Sequence, residues 1–223
     1  LLHMVKQEHY LQAIIGDEKF WRACGAYFMC DTPLDSDVGA GPLMNQDLEM
    51  ARKLLKEGGY NGETLILMDP TDIPVLHGAS LVTAQMLRKI GAKVEVQAMD
   101  WSTLTSRRAE TKSIADGGWN IFHTYSTGAD VASPIANIGV SGGCVEEAWF
   151  GWPCDKMLED LRDQFSRESD PAKQVEIGIA LQKRAYEVVP YVNYGQWFQP
   201  TAYRTSLKGV LISPVPFFWN IEK

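Results

Sequence analysis

The middle of the chain carries the most regular pattern of apolar and polar positions. Residues 64–68 form a short apolar run that predicts a buried β-strand, and residues 94–96 alternate as a second strand. Between them a helix is predicted from about Pro74, a residue that favours the first helical turn, to Gly91. A strand, a helix and a strand over this length predict a βαβ unit with parallel strands. The predicted inner face of the helix consists of Leu76, Ala79, Thr83, Met86, Leu87 and Ile90.

Apolar periodicity and turn residues predict further elements on both sides of this unit. Together they indicate one α/β domain with a mixed sheet and flanking helices. The first predicted helix covers residues 1–18, with Leu2, Val5, His9 and Ala13 on one face, and the second covers residues 45–57, with Asn45 as N-cap and Leu48, Ala51, Leu54 and Leu55 inside. Further helices are predicted over residues 101–110, capped by Asp100 or Ser102, over residues 156–165, and from Asp170 to Pro190. Helical turns are predicted within 132–138, and strands over 119–125, 191–198 and 202–205.

The composition is typical of a soluble globular protein. Of the 223 residues, 45% are apolar and 22% are charged, and this length can bury a substantial core. No apolar run approaches the roughly 20 residues that cross a bilayer. The net charge of −7 argues against a nucleic-acid-binding surface, because such a surface needs clustered Lys and Arg.

Four cysteines fall into two local pairs, Cys24 with Cys30 and Cys144 with Cys154. Neither pair has the spacing of a zinc site or a thioredoxin-like site. The even count and the short separations predict two loop-closing disulfides in an oxidising compartment. The alternative is four reduced cysteines in a cytosolic core.

Residues 117–134 carry the first candidate for binding chemistry. The predicted strand in this segment leads to a single acidic residue, Asp130, and Pro134 follows four residues later. A carboxylate at the mouth of a strand can receive an ammonium group through a strong, directional hydrogen bond. The alternative is that Asp130 caps the turn before Pro134.

A second candidate is the aromatic loop that Cys144 and Cys154 bracket. Trp149, Phe150 and Trp152 lie there beside Gly and Pro, without helical spacing. Aromatic side chains in loops often line recognition surfaces. We therefore expect Trp149, Phe150, Trp152 and Tyr125 to form apolar walls around a small polar solute.

Signs of catalysis are weak. The sequence lacks the common metalloprotease, nucleophile-elbow, phosphate-loop and dinucleotide-binding motifs. Glu146 and Glu147 are adjacent carboxylates that acid–base chemistry could use, but such pairs usually lie in solvent. His123 on its predicted strand is better explained as a packed side chain than as a base. A small hydrolase that uses these three residues remains an alternative to a binding protein.

Four segments together resemble one known family. ARKLLKEGGYNGETLILM, LRKIGAKVEVQAMDW, GGWNIFHTYSTGADVASP and DPAKQVEIGIALQKRAYEVVPYVNYGQ follow one another in the order found in family 5 extracellular solute-binding proteins, the receptors of bacterial ABC importers for dipeptides, oligopeptides and nickel. The resemblance implies the type II periplasmic binding protein-like fold. It also implies that residues 1–223 are the ligand-binding second lobe of a two-lobed receptor, cut from a longer chain without lobe one.

The resemblance assigns a role to Asp130. In peptide-binding members, an Asp in a segment of the form Ala-Asp-Tyr-x-x-Pro holds the ligand's α-amino group, and Ala129 and Asp130 match that segment. Val131 replaces the usual aromatic residue and Ser133 replaces an acidic one, so the ligand could be an amine-bearing compound other than a plain peptide. Some relatives carry a disulfide where Cys144 and Cys154 lie. Arg107 and Arg108 are candidates for the ligand's carboxylate.

The function that the resemblance implies is capture rather than catalysis. Such a receptor is periplasmic or extracellular, closes on its solute like a hinge, and presents it to the membrane subunits of an ABC permease. We expect a monomer without a cofactor, a metal or a nucleic-acid partner. A sugar-binding or chemosensory receptor of the same fold is the alternative within the family.

Overall fold

The computed structural model describes residues 1–213 and 216–223. Helices alternate along the chain with the strands of two small sheets. The α-helices are α1 (Gln7–Ile14), α2 (Gly41–Met44), α3 (Leu48–Glu57), α4 (Pro74–Lys89), α5 (Trp101–Arg107), α6 (Cys144–Glu147), α7 (Lys156–Arg167) and α8 (Pro171–Val188); the strands are β1 (Trp21–Arg22), β2 (Thr64–Pro70), β3 (Lys93–Met99) and β4 (Gln196–Trp197); and 3-10 turns cover Leu2–Met4, Glu18–Phe20, Ile114–Asp116 and Ile138–Val140.

The predicted βαβ unit is confirmed. β2 and β3 pair in parallel over their full length, from Thr64 opposite Lys93 to Pro70 opposite Met99. α4 connects them and packs on both strands. All six residues predicted for its inner face are buried, so the 3.6-residue periodicity located this face correctly.

The prediction of a strand over residues 119–125 is wrong, because the hydrogen-bonded ladder between this segment and β2 is interrupted at its start. Ile121 forms an isolated parallel bridge with Leu67, and the backbone N–H of Met68 donates to the Ile121 carbonyl at 2.9 Å. The side-chain oxygen of Asn120 accepts from the backbone N–H of Ile66 at 2.8 Å. A side chain thus takes one ladder position, and the segment lies beside β2 without continuing as a strand.

The N-terminal helix is shorter than predicted. A 3-10 turn ends before Val5, whose backbone is extended, and α1 begins only at Gln7. The break resets the helical register, so that His9 is exposed and Tyr10 is buried. Ala13 is also exposed, which makes the predicted stripe wrong.

The N-cap predicted at Asn45 is also wrong. The side chain of Asp47 accepts from the N–H of Met50 at 2.9 Å and caps α3, which begins at Leu48. Within α3, Ala51 is buried as predicted, whereas Leu54 is exposed.

The closing strands are much shorter than predicted. Trp21 pairs with Trp197 in an antiparallel ladder of two residues, and residues 202–205 contain no strand. Side chains satisfy the backbone just before β4: the hydroxyl of Tyr27 donates to the Tyr191 carbonyl at 2.9 Å. In the described part of the chain, the sheet is therefore divided into one parallel and one antiparallel pair.

α7 and α8 pack against each other and complete the core through the buried residues Leu158 and Leu181. Asp155 caps α7 by accepting from the N–H of Leu158, and it also binds Arg184 of α8 with both carboxylate oxygens. This ion pair lies directly after Cys154. It therefore fixes the end of the aromatic loop to the helical layer. In residues 1–213 and 216–223, no helix is long and apolar enough to span a membrane.

Candidate ligand site

The predicted site residues follow the carboxyl ends of a parallel pair of strands. β2 ends at Pro70 and β3 at Met99, and Ile121 bridges to β2 in the same direction just before the segment that leads to Asp130. In open α/β sheets, ligands bind in the crevice beyond the carboxyl ends of the strands. The segment that leads to Asp130 thus begins beside β2, near the end of the strand pair at which this rule expects a ligand.

Asp130 has one engaged carboxylate oxygen and one free one. Its Oδ2 accepts from the backbone N–H of Thr127 at 2.9 Å and from the Thr127 hydroxyl at 2.8 Å. The residue is exposed, and its Oδ1 has no hydrogen-bond partner among the described residues. Asp130 therefore closes a local turn with Thr127, on the N-terminal side of the turn before Pro134 that the alternative interpretation named. That turn also fixes the orientation of a carboxylate that keeps one oxygen available.

The aromatic loop packs onto the segment before Asp130. We call Trp101, Trp119, Phe122, Trp149, Phe150 and Trp152 the aromatic cluster. Phe122 contacts Trp119 and Trp149, with ring centroids 5.0 and 5.7 Å apart. Trp152 lies 5.8 Å from Trp119, and Phe150 lies 5.5 Å from Trp149. The three predicted loop aromatics thus come together, and Phe122 and Trp119 join them.

Both predicted disulfides are present, and one of them closes this loop. Cys24 is bonded to Cys30, and Cys144 to Cys154. At the neck of the loop, the N–H of Cys144 donates to the Pro153 carbonyl at 2.9 Å. The covalent bond and the backbone pairing hold the aromatic residues in a short, closed loop.

Arg108 lies among the aromatic rings. The carbon at the centre of its guanidinium lies 4.5 Å from the ring centroid of Phe150, 5.3 Å from that of Trp149, 5.5 Å from that of Trp101 and 5.9 Å from that of Phe122. These distances are within the range of cation–π attraction. Burial lowers the pKa of Arg108 below its ordinary value.

Arg107 has a different role. Its guanidinium donates to the carbonyls of Gly117 and Gly118, both at 3.1 Å, and to the side-chain oxygen of Gln97 at 2.6 Å. These contacts tie α5 to β3 and to the loop before Trp119. Since each of its three side-chain nitrogens already donates one hydrogen bond, we assign Arg107 a structural role.

Tyr125 lies apart from the aromatic cluster. Its ring is 52% exposed and contacts Trp197 of β4 edge-on, at 5.8 Å. None of the ring contacts within residues 1–213 and 216–223 joins Tyr125 to the aromatic cluster. The structure therefore divides the predicted apolar walls between two surfaces.

The residues considered for catalysis do not form a catalytic pair. His123 is buried against Tyr194, and burial lowers the pKa of its imidazole to about 4. Its Nε2 has no hydrogen-bond partner among the described residues. Glu146 and Glu147 are exposed on α6. No described group joins these three side chains in an acid–base arrangement.

Sequence reasoning missed a pair of titratable groups, Asp69 and His77. Nδ1 of His77 lies 3.0 and 2.9 Å from the two carboxylate oxygens of Asp69. The side chain of Asp69 is 3% exposed, whereas that of His77 is 39% exposed. An acidic residue at the end of an apolar strand, followed by a His in the first turn of the next helix, was the available signal.

A polar groove of about 480 Å³ lies beside α5, and its lining includes Arg107. Among residues 1–213 and 216–223, no group of three or more His, Cys, Asp or Glu side chains could hold a metal ion. The groove is lined by Ser102, Thr103, Ser106, Arg107, Glu110, Lys112, Asp116 and Gly117.

The family model for the middle part of bacterial extracellular solute-binding proteins, family 5, matches residues 26–144, a range that includes β2, α4, β3, α5 and Asp130. The chain belongs to this family. This is a family of extracellular solute-binding proteins and is non-enzymatic, which argues against the hydrolase alternative.

Individual relatives agree with this membership. The chain is 33% identical over 224 residues to a probable peptide ABC transporter periplasmic-binding protein of Sinorhizobium fredii, and the match covers all of this chain and 42% of that protein. Its fold is similar to that of the periplasmic binding protein DppA of Helicobacter pylori in complex with the peptide STSA, with a TM-score of 0.74, 18% identity, and coverage of 98% of this chain and 42% of that one.

A third similarity is to a periplasmic oligopeptide-binding protein of Thermotoga maritima with bound mannohexaose. The TM-score is 0.70 and the identity 17%, over 89% of this chain and 40% of that one. The chain therefore spans about two fifths of the length of each of these three proteins. The last two similarities show the type II binding-protein fold of the family.

Proposed function

We propose that this chain is the second, ligand-binding lobe of a two-lobed receptor that captures a peptide or another amine-bearing solute for an ABC importer. The observation that carries this proposal is the carboxylate of Asp130, which is exposed, is held by Thr127 through Oδ2, and has an Oδ1 without a partner in the described part of the chain. The Sinorhizobium relative is named as a peptide transporter component, and the Helicobacter protein binds the peptide STSA. Both names support a peptide ligand.

In the proposed mechanism, the ammonium group of the solute donates to Oδ1 of Asp130. Because Oδ2 is already held by two donors from Thr127, the carboxylate loses little conformational freedom when the ligand binds. Closure of the two lobes then excludes water and strengthens this charge-assisted bond. The closed receptor presents the solute to the membrane permease, which is its proposed partner.

The residues after Asp130 widen the range of ligands that we consider. The family resemblance implies an aromatic residue at position 131 and an acidic residue at position 133. This chain has Val131, which is partly buried, and Ser133, which has no carboxylate. The side chain of Ser133 instead accepts from the N–H of Ala136 at 3.2 Å. Asp130 is therefore the one acidic residue of the segment 129–134, which favours a solute with a single ammonium group.

The test is to measure binding of the peptide Ser-Thr-Ser-Ala and its N-acetyl form to the complete receptor by calorimetry. Asp130→Asn should weaken binding of the free peptide by about 10-fold or more, and the N-acetyl peptide should bind the parent protein equally weakly. Asp116→Asn is the matched control, since Ser113 and Asp116 make the same side-chain hydrogen bond as Thr127 and Asp130. Equal affinity of Asp130→Asn and its parent for the free peptide would remove Asp130 from the site.

A sugar receptor is the second candidate function. The aromatic cluster offers indole faces of the kind on which sugar rings stack, and the Thermotoga protein holds mannohexaose. Thermal-shift measurements with mannohexaose and with Ser-Thr-Ser-Ala separate the two functions, because a bound ligand raises the melting temperature by mass action. A shift with the sugar alone would favour this second function.

A further inference from the structure

A buried loop lies against the turn that carries Asp130. Residues 24–30, which we call the 24–30 loop, are closed by the bond between Cys24 and Cys30. Every residue of this loop is buried except Met29, which is partly buried. Loops normally run over the protein surface, because a buried loop carries backbone groups that water cannot reach. The backbone of the 24–30 loop must therefore find its hydrogen-bond partners within the protein.

Side chains from two helices supply such partners. Nε2 of Gln7 in α1 donates to the Cys24 carbonyl at 2.9 Å, and Oε1 of Gln7 accepts from the Cys24 N–H at 2.7 Å. The hydroxyl of Tyr186 in α8 donates to the Gly25 carbonyl at 2.6 Å. Because these buried bonds act together with the disulfide, the 24–30 loop is a fixed platform between α1 and α8.

The segment that carries Asp130 contacts this platform at two points, one on each side of Asp130. Before Asp130, Gly128 lies directly on the side chain of Met29, so that a Cβ atom added to Gly128 would overlap the Met29 sulfur. After Asp130, Nδ2 of Asn137, a buried side chain, donates to the Tyr27 carbonyl at 2.8 Å. The 24–30 loop thus holds both ends of the segment.

Backbone hydrogen bonds extend this constraint towards Asp130. The N–H of Asp130 donates to the Thr127 carbonyl at 3.0 Å, and the N–H of Thr127 donates to Oδ2 of Asp130 at 2.9 Å. The N–H of Asn137 donates to the Ser133 carbonyl at 2.9 Å. Thr127 precedes Gly128 in the chain, so the turn that orients the carboxylate lies next to the contact with Met29.

We propose that the 24–30 loop positions the carboxylate of Asp130 for its ligand, with Met29 as the positioning residue. The thioether of Met29 fills the space beside Gly128. Without it the turn gains room to move, and Oδ1 of Asp130 is presented in more than one orientation. An anchor that is held in place before binding loses less conformational freedom when the ligand arrives. This inference rests on the proposed receptor function, because it concerns the same anchor.

The first test needs no ligand. NMR of the complete receptor, labelled with nitrogen-15 threonine, measures hydrogen exchange of the Thr127 N–H, which the Asp130 carboxylate holds. Met29→Ala should speed this exchange by about 3-fold or more, whereas Met29→Leu, which conserves volume, should leave it unchanged. Met50→Ala is the control, because Met50 is a partly buried methionine of α3. Unchanged exchange at Thr127 in Met29→Ala would overturn the proposal.

The second test separates positioning from a general loss of stability. Calorimetry measures binding of Ser-Thr-Ser-Ala to the complete receptor with Met29→Ala, with Asp130→Asn and with both changes. Met29→Ala should weaken binding by about 3-fold or more in the parent and have no further effect beside Asp130→Asn, because it acts through that carboxylate. Met29→Leu should keep the parent affinity. An equal loss in both backgrounds would contradict a role through Asp130.

The third test opens the platform itself. Cys24→Ser with Cys30→Ser should also speed the exchange of the Thr127 N–H. The matched control is Cys144→Ser with Cys154→Ser, which opens the aromatic loop and should leave that exchange unchanged. The same increase in both double variants would show general loosening and contradict a specific role of the 24–30 loop.

Failure of this inference differs from failure of the receptor function. Peptide binding that depends on Asp130 but not on Met29 would overturn the positioning role and leave the receptor function standing. Faster exchange at Thr127 in Met29→Ala, without binding of any peptide, would support the platform and contradict a peptide ligand.

Discussion

At the scale of single residues, Arg107 and Arg108 show how neighbouring identical side chains acquire opposite roles. Arg107 uses its donors on backbone carbonyls and on Gln97, and so fixes the loop before Trp119. Arg108 lies among the rings of the aromatic cluster, and its side chain makes no hydrogen bond within residues 1–213 and 216–223. Composition and spacing could not separate the two, because the difference depends on which residues meet them in the folded chain.

His123 is the residue with the clearest consequence for stability. Burial lowers its folded-state pKa to about 4, below the ordinary value of 6.5 in the unfolded chain. The contribution of neutral His123 to the free energy of unfolding is therefore fully present above pH 6.5. It is lost as the pH falls from 6.5 towards 4, by about 3 kcal/mol in total. Replacement His123→Phe should flatten the pH dependence of the free energy of unfolding in this window, as measured by urea denaturation.

The control for this prediction is His9→Phe, since His9 is exposed. It should leave the pH dependence between 4 and 6.5 as in the parent. Parallel curves for the parent and His123→Phe would contradict the assignment of a buried, neutral His123.

At the scale of elements, the local pattern of the sequence located α4 but not the segment 119–125. All the information for α4 lies in its own periodicity, and its two neighbouring strands cover the apolar face. In 119–125, the side chain of Asn120 competes for the N–H of Ile66 and interrupts the ladder. A strand needs a partner elsewhere in the chain, so alternation alone could not show how far the pairing extends.

The loop closed by Cys144 and Cys154 is the element whose removal should be easiest to detect. The double variant Cys144→Ser with Cys154→Ser should lower the free energy of unfolding by about 2–4 kcal/mol, because the open loop gains conformational entropy in the unfolded state. It should also weaken the near-ultraviolet circular dichroism of the aromatic cluster, since Trp149 and Trp152 lie in this loop.

The matched control replaces Cys24 and Cys30 with Ser. That disulfide lies among buried residues near Ala26, and none of the contacts of the aromatic cluster involves it. This variant should lose stability but keep the near-ultraviolet signal of the tryptophans. The same spectral loss in both variants would show that the loop disulfide has no special role in the cluster.

At the scale of the whole molecule, the fold class could be predicted, whereas the surroundings of Arg108 could not. Family resemblance covers a contiguous pattern that includes the βαβ unit and the Asp130 segment. The rings around Arg108 come from three distant segments, at Trp101, Phe122 and Trp149. Only tertiary packing brings these rings together, so the spacing of residues along the sequence could not predict that they surround Arg108.

The proposal of a two-lobed receptor predicts that this chain and the complete receptor differ greatly in their affinity for a peptide. A small-molecule site buries most of its ligand, and one lobe supplies only part of that surface. The complete receptor should therefore bind Ser-Thr-Ser-Ala at least about 10-fold more tightly than the 223-residue chain, as measured by calorimetry and NMR titration.

Asp130→Asn provides the control, since it should weaken both forms by a similar factor if both use the same anchor. Equal affinity of the chain and the complete receptor would contradict a site shared between two lobes.

The bond between Cys144 and Cys154 also has a consequence for when the protein can act. Thiols stay reduced in the cytosol, and disulfides form after export to an oxidising space. In the cytosol, a newly made chain would have reduced Cys144 and Cys154 and therefore an open aromatic loop. The aromatic cluster would then reach its clamped arrangement only in an oxidising space, where the bond between Cys144 and Cys154 can form.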